Sequence, residues 1–174
     1  MISGRTRVAA VIGDPVRHSL SPAIHNAAFR ALDLDWVYLA LHVRAGDAAA
    51  AVTGMRALGI DGMNVTMPHK SDVAAAVDRL SPTAEALGAV NTVHRVGNDL
   101  VGESTDGDGF VNALRLDEGV DPAGRRFLVV GAGGAARAVA WLRRSATASP
   151  SGRSASAAWR MWRLCAKLQC CGAR

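Results

Sequence analysis

The stretch IDGMNVTMPHK, Ile60 to Lys70, decides how the first half of this chain folds. Its opening part, IDGMNVTM, reads as a strand. Met67-Pro68 ends that strand, because proline has no amide proton for a ladder and keeps the residue before it out of the helical region. Outward toward the N-terminus, WVYLALHV (Trp36 to Val43) and RVAAVIG (Arg7 to Gly13) are two more apolar runs, each suited to a strand buried on both faces. Helical signals fill the gaps. Ser21 as N-cap and Pro22 at the first helical position open one helix, with Ile24, Ala27, Ala28, Ala31 and Leu32 as its apolar stripe. Gly46 to Leu58 forms the next, with Ala48, Ala51, Val52, Met55 and Leu58 on one face and Gly59 ending it. Strand, helix, strand, helix, strand is the pattern of a parallel sheet covered by helices and joined by right-handed crossovers.

Past Pro68 the sequence predicts a short helix near Ser71 to Val77 and another opened by Ser81-Pro82. AVNTVHRVGNDLVGEST then holds two β-like runs around Gly97-Asn98, a hairpin that extends the sheet antiparallel. A helix from about Gly109 to Leu116 leads out, Pro122 to Arg126 is a turn, and FLVV, Phe127 to Val130, begins a new strand. After Arg144 the run SATASPSGRSAS carries no strand signal, and the chain has no internal repeat.

With 174 residues, 49% of them hydrophobic, the chain can bury one large core or two small ones. The net charge of +5 raises the question of nucleic acid or an acidic membrane surface, but its location answers it. Seven of the 20 basic residues and none of the 15 acidic ones lie from Arg143 onward, leaving 13 basic against 15 acidic before that point. The body is mildly acidic. Its three cysteines, Cys165, Cys170 and Cys171, have no CxxC spacing, so they indicate neither a disulfide framework nor a zinc site. The first apolar run is too short for a signal peptide, and no segment approaches the ~20 apolar residues of a membrane span. A soluble, cytoplasmic protein is expected.

Five stretches carry chemistry. NVTMPHK places the amide of Asn64, the hydroxyl of Thr66 and the ammonium of Lys70 at the carboxyl end of a parallel strand, where such sheets bind ligands. NTV adds the amide of Asn91, and STDGDG adds the carboxylates of Asp106 and Asp108, which alone read as a solvated acidic turn. In RHSLSP, Ser19 and Ser21 stand two apart where a helix opens, so their hydroxyls and the helix N–H groups suit a carboxylate or phosphate. Finally, Gly131, Gly133 and Ala136 follow G-x-G-x-x-A directly behind FLVV, with a helix opening at Gly134. The first glycine permits the tight turn, the second lets backbone approach a pyrophosphate, and the small third residue lets helix pack on strand. His18 and His25 are read as structural, and no spacing suggests a metal. The resulting fold class is α/β. Residues 1–108 form a mainly parallel sheet flanked by helices, and residues 109–144 supply a linker helix and the first βα unit of an incomplete Rossmann-type nucleotide-binding domain. Residues 145–174 are an atypical basic tail.

HSLSP, NVTMPHK, GAVNTV, STDGDGF and GAGGAARAV, in this order and spacing, resemble shikimate dehydrogenase from about Val8 to Leu142. The resemblance implies a two-domain oxidoreductase of aromatic amino acid biosynthesis that reduces 3-dehydroshikimate to shikimate with NADPH. It implies that Ser19 and Ser21 hold the substrate carboxylate, that Thr66, Asn91 and Asp106 hold ring hydroxyls, and that Asn64 lines the site. Lys70 and Asp106 would be the catalytic pair, and Gly131, Ala132, Gly133, Gly134 and Ala135 would hold NADP. The expected partner is that one small molecule, with no nucleic acid and no membrane; a homodimer is left open.

Two departures qualify the resemblance. Ser104 stands where the family usually has asparagine. After Leu142 the family's further strands, its N-R-T or N-R-S segment and its late glutamine segment are not recognisable; Arg153 is at most a remnant without a preceding strand. The expectation is a chain truncated or altered in reading frame after about residue 142, with doubtful turnover. Two alternatives stand beside it. One is a non-catalytic shikimate-binding module. The other is a genuine tail helix with Ala158, Met161, Trp162, Cys165 and Leu168 on a face opposite Arg160, Arg163 and Lys167, suited to a membrane surface or a partner.

Overall fold

A computed structural model describes residues 2–123, 125–131 and 134–145. The chain divides into two compact units, Met1–Ser104 and Thr105–Arg174. The first unit contains β1 (Arg7–Gly13), α1 (Ser21–Ala31), β2 (Trp36–His42), α2 (Ala48–Ala57), β3 (Gly62–Val65), α3 (Lys70–Ala76), β4 (Arg79–Leu80), α4 (Pro82–Leu87), β5 (Thr92–Val96) and β6 (Asp99–Glu103). These strands form one six-stranded sheet in the order β2-β1-β3-β5-β6-β4. β1 pairs parallel with β2 and β3, whereas the β5–β6 hairpin adds antiparallel to β3. This is the parallel sheet with an antiparallel extension that the strand spacing predicts. Gly97, at φ +62, turns the hairpin, a conformation glycine takes without penalty.

The core lies between the sheet and α2, α3 and α4. Ile12, Val52, Met55, Met63, Val65, Val73, Ala84, Val90, Val93 and Leu100 form one buried cluster. Removing a side chain such as Leu100 from it costs about 2–5 kcal/mol, the usual range when a cavity replaces a buried Leu. Gly102 is close to its packing limit: a Cβ there would lie 2.6 Å from Val90 Cγ2. The end of α2 is closed by a side chain, since the Arg95 guanidinium donates to the carbonyls of Met55 at 2.7 Å, Arg56 at 2.9 Å and Ile60 at 3.0 Å.

Several local expectations are corrected. β2 is an edge strand, and only Tyr38 on it is buried, so the expectation of burial on both faces fails. The buried stripe of α1 is Ser21, His25 and Phe29, whereas Ala27, Ala31 and Leu32 are exposed. Stacking of His25 on Tyr38 selects that face, and Asn26 holds it by bonding both backbone groups of Tyr38. Ser21 is the first helical residue rather than a side-chain cap, and Leu20 occupies the cap position. In α2, Ala48, Val52 and Met55 are buried as expected, but Leu58 has passed the helix end and is exposed. Ser81 does cap α4, accepting from the Ala84 N–H at 3.2 Å. The two-residue strand β4 has no signal of its own in the sequence.

The second unit holds α5 (Asp106–Leu116) and α6 (Gly134–Ser145). α5 starts three residues before the expected Gly109, which places Asp106 and Asp108 in its first turn, where the helix dipole favours negative charge. The turn at Pro122 is present, with Arg125 N–H donating to the Pro122 carbonyl at 3.2 Å. Phe127 to Val130, expected as a strand, pairs with no described strand. Its exposure still alternates: Leu128 and Val130 are 92% and 89% exposed, Phe127 and Val129 44% and 40%. That is the period of an extended segment whose backbone has no ladder partner among the described residues. The expectations placed on Ala132, Gly133, Arg153 and the tail helix lie outside the described residues.

Candidate functional site

The parallel strands β1 and β3 run side by side with Ile12 opposite Val65. Their pairing continues past the strand ends, as Thr66 N–H donates to the Ile12 carbonyl at 3.0 Å and Asp14 N–H to the Met67 carbonyl at 2.9 Å. Gly13 makes this approach possible. A Cβ on it would overlap Thr66 Cγ2 and lie 3.3 Å from the Met67 carbonyl oxygen, so the absence of a side chain sets where Thr66 stands.

Lys70 is the first residue of α3. Its carbonyl accepts from Val90 N–H at 2.8 Å, and the carbonyl of Asn91, the residue after Val90, accepts from Val65 N–H at 2.8 Å. Backbone bonds therefore gather Thr66, Lys70 and Asn91 around the carboxyl ends of β1 and β3. His69, fully buried, helps anchor the turn between them, its Nε2 lying 2.8 Å from the Val43 carbonyl oxygen.

Ser19 and Ser21 form a second group, with Ser19 Oγ donating to Ser21 Oγ at 3.0 Å and accepting from Ser21 N–H at 3.3 Å. They are joined to the strand ends through buried rings. The Ser21 carbonyl lies 2.9 Å from His25 Nδ1, and the His25 ring stacks on Tyr38 with centroids 4.0 Å apart and planes 12° from parallel. The Tyr38 hydroxyl donates to Asn64 Oδ1 at 2.6 Å. Burial holds the His25 imidazole below its ordinary pKa, opposed by the hydrogen bond to Ser21. His25 is thus structural, as expected, but it also supports one side of the site.

Asn64 is 3% exposed, and its amide serves the protein at both ends. Besides Oδ1 accepting from Tyr38, its Nδ2 donates to Thr92 Oγ1 at 3.1 Å and to the Asn91 carbonyl at 3.4 Å. Sequence reasoning passed over Tyr38, Thr92 and Gly13. Tyr38 sits in a run that looks wholly apolar, and only its phenol tip gives the polar signal.

Asp106 lies in the second unit, in the first turn of α5. In the glycine-rich stretch, Gly131 has φ +114, which side-chain-bearing residues rarely adopt, and α6 opens at Gly134. Among the described residues no group of acids, histidines or cysteines could hold a metal, and no helix is long and apolar enough to cross a membrane.

Residues 11–93 match the family model of the shikimate dehydrogenase substrate binding domain. The motif resemblance is thus matched by that family's model. A shikimate dehydrogenase (NADP(+)) from Geobacter metallireducens is 56% identical over 149 residues, covering 85% of this chain and 52% of that protein. A crystal structure of shikimate 5-dehydrogenase from Listeria monocytogenes, in complex with shikimate and NAD, superposes with TM-score 0.76 at 44% identity, covering 82% of this chain and 49% of that one. Another, from Thermus thermophilus in complex with NADP(H) and shikimate, gives TM-score 0.74 at 41% identity, covering 81% and 53%. The chain therefore spans about half the length of the shikimate dehydrogenases it matches.

Proposed function

We propose that this chain takes part in the NADPH-dependent reduction of 3-dehydroshikimate to shikimate, with residues 1–108 as the substrate domain. The observation that carries the reading is the gathering of Thr66, Lys70 and Asn91 at the ends of β1 and β3 by backbone bonds from Ile12, Val65 and Val90. A hydroxyl, an ammonium and an amide so held suit a polyhydroxylated ring acid. Ser19 and Ser21, beside the start of α1, take its carboxylate; Thr66, Asn91 and Asp106 take ring hydroxyls, and Asn64 shapes the site from behind.

Lys70 and Asp106 form the catalytic pair in this reading. As the ring ketone is reduced, negative charge grows on its oxygen, and the Lys70 ammonium stabilises that charge and delivers the proton. Asp106 accepts from a neighbouring ring hydroxyl. When bound, NADPH would supply the hydride, and Gly131, Ala132, Gly133, Gly134 and Ala135 would hold it. The relatives' names and complexes with NADP(H) support that cofactor.

A second reading is a shikimate-binding module without turnover. It is favoured by Phe127–Val130, which pair with no described strand. Following reduced-nicotinamide absorbance with shikimate and NADP separates the two. Turnover that falls about 10²- to 10⁴-fold in Lys70→Met, with shikimate binding kept, supports the first. Saturable shikimate binding without turnover supports the second.

A further inference from the structure

β2 is an edge strand, and the backbone groups along its open side are a template for pairing with another chain. Its seven residues, WVYLALH, pair with β1 in unbroken register and contain no proline, lysine or bulge to discourage a further strand. Odd-numbered residues turn their backbone groups toward β1, since Arg7 N–H donates to the Asp35 carbonyl and Val43 N–H to the Gly13 carbonyl. Trp36, Tyr38, Ala40 and His42 therefore turn theirs outward.

At the centre of this open side stands the amide of Asn26, from α1. The Tyr38 N–H donates to Asn26 Oδ1 at 2.9 Å, and Asn26 Nδ2 donates to the Tyr38 carbonyl at 2.9 Å. The second hydrogen of that NH2 goes to the Pro22 carbonyl at 2.8 Å. An N–H only donates and a carbonyl only accepts, so these bonds fix which end of the amide is oxygen. Exchanging both bonds with one residue is what the opposite residue of an antiparallel strand does. The Trp36 N–H is also taken within the chain, by the Leu34 carbonyl at 2.9 Å.

We propose that Asn26 is an edge guard: its amide stands in for a neighbouring strand at Tyr38 and keeps the sheet from continuing into a second copy of this chain. With Tyr38 taken, only Ala40 and His42 still offer both outward groups, a stretch too short for a stable ladder. Releasing Tyr38 makes Tyr38, Ala40 and His42 one continuous edge. That edge is complementary to itself, because a two-fold antiparallel pair centred on Ala40 sets Tyr38 opposite His42. A second copy is therefore the occupant it fits, and the exposed side chains of Leu39 and Ala40 add apolar surface to the contact. The inference is independent of the shikimate reading.

Sedimentation of the full chain in reducing buffer, over a range of concentrations, tests it. Asn26→Ala, folded by circular dichroism, should self-associate at concentrations about tenfold or more below those the unaltered chain needs, the size expected when two backbone hydrogen bonds become available to a partner. Hydrogen exchange should show the Tyr38 N–H unprotected in the dilute variant and protected again in the concentrated one. Adding Ala40→Pro, which removes an outward N–H that an edge strand can do without, should abolish the new association. Asn26→Ser is judged by the same readings where Asn26→Ala does not fold. A folded variant that associates no more than the unaltered chain overturns the proposal, since the bulk of α1 rather than the amide then closes the edge. Association that survives Ala40→Pro overturns it as well, since the contact then lies elsewhere.

Discussion

The Tyr38 hydroxyl donates to Asn64 Oδ1 at 2.6 Å, tying the edge strand β2 to β3 across the intervening β1. Both residues are buried, so neither group has water to fall back on. Tyr38→Phe should therefore lower unfolding stability by about 1–3 kcal/mol, the penalty for leaving a buried acceptor unsatisfied. Tyr38→Leu, which also removes the stack on His25, should lose more. Urea unfolding followed by circular dichroism orders the two.

Gly13→Ala should weaken ligand binding more than it weakens the fold. Its Cβ would overlap Thr66 Cγ2, and the exposed side of Thr66 gives that side chain somewhere to go, so the hydroxyl moves while the strands hold. Gly54→Ala is the control: it lies within α2 with nothing inside 4 Å of an added Cβ, and should stabilise by about 0.5–1 kcal/mol through helix propensity alone. Calorimetric titration with shikimate, beside thermal melting, distinguishes displacement of Thr66 from general destabilisation.

Arg95→Met should cost about 2 kcal/mol although it keeps most of the apolar stem, because three carbonyls at and beyond the end of α2 lose a charged donor. Hydrogen exchange should show the loss concentrated in the last turn of α2, where Met55 and Arg56 lie.

Stability should fall as pH drops from about 7.5 to about 5, the range in which histidines ordinarily titrate. Burial lowers the pKa of His25, and burial together with the Arg79 charge lowers that of His94. The unfolded chain therefore binds protons that the folded chain refuses. The stabilisation is complete above the unfolded histidine value, near 6.5, and is lost as pH falls through the depressed folded values. Denaturant midpoints across this range measure it, and His25→Phe should flatten the curve if the His25 share dominates.

The order of elements in the first unit was legible because each parallel strand is a short apolar run between helices with glycine or proline stops. Thr66 and Lys70 stood out as candidates because polar groups at the carboxyl end of a parallel strand suit ligand binding, and Asn91 stood out by its amide alone. Which face of α1 turns inward was not, since a His25–Tyr38 stack, rather than a hydrophobic count, decides it. The exposure of β2 follows from its place at the sheet edge, a non-local fact. Asn64 read as a ligand contact, whereas burial shows it serving Tyr38, Thr92 and Asn91 first. Phe127–Val130 has the pattern of a strand, but a ladder needs a second strand that no local signal guarantees.

Calorimetric titration of the full chain with shikimate tests the central claim most directly. The account predicts saturable one-to-one binding that is weakened at least several-fold when Ser19 and Ser21 are replaced by Ala, and again when Thr66 is replaced by Val. A chain that is folded by circular dichroism yet gives no saturable heat with shikimate, or binds it equally well after those replacements, would contradict it.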